Sequence, residues 1–131
     1  MAHASPRLIF RSTMFAVESG EDEATNPGIF GKSLASWIGQ ELVPGFSAES
    51  IIAEDFAWLV PVPNPQHKLY IACSSVGDSS EEWSLMVIAE GGLMSRVLGN
   101  GRHVESVAKL YAAVKHRIER AADISEIHED E

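Results

Sequence analysis

FAWLVPVPNPQHKLYIACSSVGDSSEEWSLMVIAE, residues 56–90, decides the fold. It holds three runs rich in β-branched and aromatic residues, Phe56–Val62, His67–Ser74 and Trp83–Glu90. Runs of this kind, bounded by turn formers, read as successive strands. Pro61, Pro63 and Pro65 cannot donate ladder hydrogen bonds, so they belong to a strand end and the loop after it. Gly77-Asp78-Ser79-Ser80 makes the next turn.

The flanking sequence extends this sheet on both sides. Ser50–Ala53 reads as a short, weaker strand, separated from Phe56 only by Glu54-Asp55. Neither acid favours the positive φ of a tight hairpin, so a hairpin and a bend within one long strand both stay open. Upstream, Phe30, Leu34, Trp37, Ile38 and Leu42 recur at helical spacing and mark an amphipathic helix over 30–43. Pro44-Gly45 ends it, and Thr25-Asn26-Pro27-Gly28 reads as its start, a capping residue ahead of a first-turn proline. Residues 7–17 alternate partially and read as the first strand. Downstream, residues 91–102 fit one helical turn or a short strand, closing on Gly99-Asn100-Gly101. From His103 to Ala122, Val104, Val107, Tyr111, Val114 and Ile118 line one face of a long helix. The order β-α-β4-α predicts an α+β two-layer sandwich, an antiparallel sheet of about five strands with two helices on one face.

Its 131 residues suit a single domain and need no disulfide or metal staple to bury a core. The formal charge is −9, and it is concentrated. Glu18, Glu21, Asp22 and Glu23 crowd into residues 18–23 without a base. Residues 119–131 add six acids against Arg120 alone, and the remainder of the chain is neutral. Residues 1–122 are expected to form the globular domain. Residues 123–131, with only Ile124 and Ile127 as large apolar residues, read as a disordered acidic tail. His3 and His128 are assigned to the two termini on the same grounds.

Several function classes lose support at this stage. Phosphate recognition by counterion release needs clustered Lys and Arg, which are missing, so neither nucleic acid nor an anionic membrane is an expected partner. The longest apolar run near the start, Leu8-Ile9-Phe10, is too short for a signal peptide or a membrane span, which points to the cytoplasm. Gly31-Lys32-Ser33 imitates the end of a phosphate-binding loop, but the position that needs its first glycine holds Asn26. The five histidines lack metal-ligand spacing, and the acids of 18–23 do not follow the calcium-loop pattern, so no cofactor or metal is expected. Cys73 sits among apolar neighbours with no adjacent base and reads as a structural thiol. Ser79 and Ser80 lack the nucleophile-elbow pattern.

What remains is an acidic rim. Glu54-Asp55 would join Glu18, Glu21, Asp22 and Glu23 if the loop and this turn share a sheet edge. Trp37, Trp58 and Trp83 lie on amphipathic elements and are expected in the core. Trp58, next to the acids, would anchor an interface if exposed.

The stretch Gly20-Glu21-Asp22-Glu23-Ala24-Thr25-Asn26-Pro27-Gly28, leading into Leu34-Ala35-Ser36-Trp37, resembles a group of small uncharacterised bacterial proteins. Glu54-Asp55-Phe56-Ala57-Trp58 extends the resemblance over about the first half of the chain. It implies a bacterial cytosolic origin and transfers no activity, cofactor or site. The expectation is therefore a non-enzymatic interaction module, with Glu18, Glu21, Asp22, Glu23, Glu54, Asp55 and Trp58 facing a basic protein partner. An inhibitor of a basic protein is one form of it. The alternative is a small-ligand-binding protein or weak hydrolase with a pocket between sheet and helices, using Glu18, Glu54 and Asp55. The oligomeric state is left open.

Overall fold

A computed structural model of the chain describes residues 2–65, 68–90 and 102–130. The expectations for residues 91–101 and for His67 fall outside the described residues. The central meander forms as read: β4 (Ala57–Val62), β5 (Lys68–Ser75) and β6 (Glu82–Glu90) pair antiparallel. Because side chains alternate along a strand, the registers Trp58↔Cys73↔Leu85 and Val60↔Ile71↔Val87 put these apolar residues on one face. All six are buried.

β3 (Ile52–Glu54) folds back on β4 with Glu54 opposite Ala57, so the segment is a hairpin and not one bent strand. Its connecting residues are Asp55 and Phe56. Among the described residues Glu126 is the only non-glycine with positive φ, so this turn closes without left-handed backbone, and of the two open readings the hairpin holds.

On the far side of β6 lies β2 (Arg7–Arg11), much shorter than the strand read over 7–17. The chain leaves the sheet at Ser12, whose carbonyl accepts the Trp83 indole N–H at 3.1 Å. The Ser12 hydroxyl accepts the Met14 N–H at 3.1 Å and starts a turn. Phe15 then turns into the core, edge-on to Trp37 and Trp83. Alternation predicts nothing once the strand has ended.

Both termini belong to the sheet. β1 (Ala2–Ala4) runs along the same edge of β6 as β2. Between the pairs Ala4↔Ile88 and Leu8↔Leu85 the N-terminal side has one residue more, a bulge at Ser5-Pro6. There the Ser5 N–H donates to the Val87 carbonyl, and the Ser5 hydroxyl accepts the Val87 N–H, both at 2.9 Å. At the other end β7 (Ser125–Asp130) pairs antiparallel with β2. The disordered tail is thus corrected: Ile124 is buried, and the acids of 126–130 border Arg7, Arg11 and Lys115. An edge strand needs only one buried flank, and composition alone does not reveal it.

The chain is therefore α+β, with one open antiparallel sheet in the order β3-β4-β5-β6-β2-β7. It exceeds the expected five strands because the termini add to it. α1 (Lys32–Leu42) packs on β4 and β5, and α2 (Arg102–Glu119) packs on β6. Leu34, Ala35 and Ile38 of α1, and Val107, Tyr111, Val114 and Ile118 of α2, share one core with Phe10, Ile71 and Leu85. Both helices thus cover the same face. Phe46 lies against Gly39 so closely that a Cβ there would run into its ring, which fixes the chain leaving α1.

Candidate functional site

The acidic loop is built into the fold. Residues 21–23 form a single 3-10 turn, and Glu21 is buried. Its carboxylate accepts the backbone N–H groups of Gly31 at 2.8 Å, Lys32 at 3.0 Å and Glu18 at 3.1 Å. Two of these donors open α1, so Glu21 caps the helix from ten residues upstream. Asp22 accepts the Gly28 N–H at 2.8 Å, and Lys32 lies 3.6 Å from Glu18.

This arrangement corrects the expected helix start. Pro27-Gly28 is a turn, with the Ile29 N–H donating to the Asn26 carbonyl at 3.0 Å, and the helix begins at Lys32. Gly31 has φ 150°, and a Cβ on it would meet the Cys73 carbonyl oxygen at 2.7 Å. Only glycine lets the loop lie so close to β5. Ser75 secures it, its N–H donating to the Phe30 carbonyl at 2.7 Å and its hydroxyl accepting the Phe30 N–H at 3.1 Å.

The loop does reach the β3–β4 hairpin, through the Asn26 N–H donating to the Asp55 carbonyl at 2.8 Å. It does not deliver a carboxylate cluster, because Glu21 and Asp22 turn towards backbone donors. No group of three or more metal-ligating side chains occurs among the described residues. Glu18, Glu23, Glu54 and Asp55 are exposed. Trp58 is not: it lies in the core at 7% exposure, with the Lys32 ammonium 6.0 Å from its ring centre. The exposed aromatic is Phe56 at the hairpin tip, 52% accessible, with Ile52 at 41% close by. The signal for Phe56 is the turn itself, since a tip residue escapes the alternation that buries Trp58.

Ile52 and Glu54 share the sheet face opposite the helices with Leu59, Tyr70, Ala72 and Ile88. Ala57, Leu59 and Ala72 bury one another there, with Tyr70 and Ile88 beside them. A cavity of about 310 Å³ opens on this face beneath Phe56, between Ala72, Ser84 and Met86. A second, of about 430 Å³, lies where the chain after α1 meets the ends of β4 and β5, lined by Phe46, Pro61, Val62, Leu69 and Tyr70. Neither is lined by Glu18, Glu54 or Asp55. Burial, and after it the neighbouring Glu90 carboxylate, raises the pKa of Tyr70. Burial pushes the Cys73 thiol well above its ordinary range, which suits a structural role.

No protein-family model, curated protein or solved structure matches the chain. Among the described residues no helix is long and apolar enough to cross a membrane.

Proposed function

We propose that the chain is a non-enzymatic interaction module whose binding surface is the uncovered sheet face headed by the β3–β4 hairpin. The observation that carries this reading is Phe56: a large aromatic held outward on a two-residue turn, next to Ile52 and flanked by Glu54 and Asp55. An exposed aromatic beside free carboxylates suits a partner that offers apolar side chains together with positive charge. Glu54 and Asp55 form no ion pair among the described residues, so their charge is available to it. In the neighbouring loop Glu23 is exposed, Glu18 pairs with Lys32, and Glu21 and Asp22 serve the fold. We place this module in the cytoplasm.

The test is affinity capture from a cell lysate with the wild-type chain and with Phe56→Ala, Glu54→Gln and Asp55→Asn. A partner held at low salt, released at high salt and lost with Phe56→Ala supports the reading. Capture that none of the three substitutions alters defeats it. The cavity at Phe46 and Tyr70 favours a second reading, a site for a small apolar ligand, because its walls are largely apolar. A ligand that raises the thermal midpoint of the wild-type chain but not of Phe46→Ala would mark that site.

A further inference from the structure

We propose that the partner on this face is a second copy of the chain, the two sheets stacking face to face about a two-fold axis. The inference rests on the reading of the uncovered face as an interaction surface. β5 and β6 are the central pair of the six strands. An axis running between them, parallel to the strands and midway between two sheets, lays β5 of one copy over β6 of the other. It also lays β4 over β2 and β3 over β7.

The pairing registers then fix what meets what. Lys68↔Glu90, Tyr70↔Ile88 and Ala72↔Met86 are cross-strand partners within one copy. The axis exchanges them between copies, so Lys68 stands over the other copy's Glu90 and Tyr70 over its Ile88. At the hairpin end, Trp58↔Cys73↔Leu85↔Leu8 sets β4 level with β2. Glu54, opposite Ala57, is thereby level with Ile9 and with His128, which pairs with Ile9. Glu54 stands over the other copy's His128, and Asp55 and Phe56, one residue further out, are level with its Phe10 and next to Arg11, the residue after it. Arg11 pairs with Glu81 at 3.7 Å and Glu126 at 3.4 Å yet stays 42% exposed, open to a further carboxylate or an aromatic ring.

The charges that match lie on opposite sides of the axis, the arrangement that makes a surface complementary to itself. A foreign partner would need to reproduce that pattern. The size also fits. Six strands about 4.8 Å apart and about six residues long cover on the order of 600 Å² per copy. Two copies then reach about 1,200 Å², the lower bound for a stable interface, at the spacing of about 10 Å found in sandwiches.

The test is sedimentation equilibrium on the full chain. The wild type should self-associate to a dimer. Lys68→Glu and Glu90→Lys, each alone, set like charge over like charge twice per dimer and should weaken association about a hundredfold. An equimolar mixture of the two variants should dimerise again, because each copy then meets opposite charge at both positions. Recovery in the mixture also shows that both variants are folded. A wild type that stays monomeric at millimolar concentration, or a mixture no tighter than either variant, overturns the proposal. A monomeric wild type whose capture of a partner still depends on Phe56 removes the dimer and leaves the interaction module standing. A dimer that follows the charge exchange, alongside capture indifferent to Phe56, keeps this face as a surface for self-association and removes the foreign basic partner.

Discussion

The loop at 18–23 and the strand at 125–130 are the two acidic segments of the chain, and the fold uses them in opposite ways. In the loop the decisive carboxylates point inward: Glu21 holds three backbone N–H groups and Asp22 holds one. In the strand they spread along an edge and meet side chains. Asp130 lies 3.7 Å from Arg7, Glu126 lies 3.4 Å from Arg11, and Glu129 takes both Lys115 and the Tyr111 hydroxyl. A buried carboxylate on backbone donors contributes much from few atoms. Exposed ion pairs contribute little each, so β7 must be held mostly by its backbone ladder and by Ile124. The lesson is that equal charge density says nothing about energetic weight; burial and donor type decide it.

Removing residues 124–131 is the harshest way to break this comparison. It exposes the flank of β2, deletes the ladder to Arg7–Arg11 and removes buried Ile124. Loss of a buried Ile alone costs about 2–5 kcal/mol. We expect about 4 kcal/mol in all, which lowers the thermal midpoint by roughly 15 °C in a domain of this size. A midpoint within about 2 °C of the full chain would show that β7 contributes nothing and that the acidic end is a tail after all.

Glu21→Ala comes next. It leaves the N–H groups of Gly31, Lys32 and Glu18 without their acceptor, two of them at the start of α1. Hydrogen bonds to a charged group are worth about 1.5–3 kcal/mol, and water can re-enter to satisfy part of what is lost. The expected cost is about 3 kcal/mol by chemical denaturation. Glu23→Ala, an exposed position in the same turn, should stay within about 0.5 kcal/mol. Equal effects at the two positions would mean that the loop acts through bulk charge and not through the cap.

These contrasts mark what the sequence could and could not disclose. The β4–β6 meander was legible because buried strands concentrate Val, Ile, Leu and aromatic residues between turn formers. The faces of both helices followed from apolar spacing. The start of α1 was hidden, since its cap is an acid ten residues away and local capping rules look one turn upstream. β7 was hidden for a different reason: Ser-Glu-Ile-His-Glu-Asp is polar, and the strand it pairs with, Arg7–Arg11, lies at the other end of the sequence. At the candidate site the position of Glu54 and Asp55 could be read, but the aromatic beside them could not. Placing Phe56 outside and Trp58 inside depends on where the hairpin turns, and that is set by the pairing of Glu54 with Ala57.

The smallest expected effect tests the strand side of the comparison through one proton. The hydrogen bond from the Tyr111 hydroxyl, at 2.7 Å, holds the Glu129 carboxyl below its ordinary pKa, and Lys115 acts in the same direction. Above the unfolded glutamate value of about 4.3, both states are ionised and the contribution of this contact to stability is fully present. As the pH falls through the lowered folded-state value, the folded chain takes up the proton and the contribution is lost. The effect is small because Glu129 is solvent-exposed, where water and salt screen it. NMR titration of the Glu129 side chain should find the lowered value in the wild type and a rise towards the ordinary one in Tyr111→Phe, with Lys115 still in place. Stability measured across the same acid range should fall off less steeply in Tyr111→Phe. A Glu129 that titrates identically in both chains would mean that β7 is not docked against α2 through this contact, and its pairing with β2 alone would have to hold it.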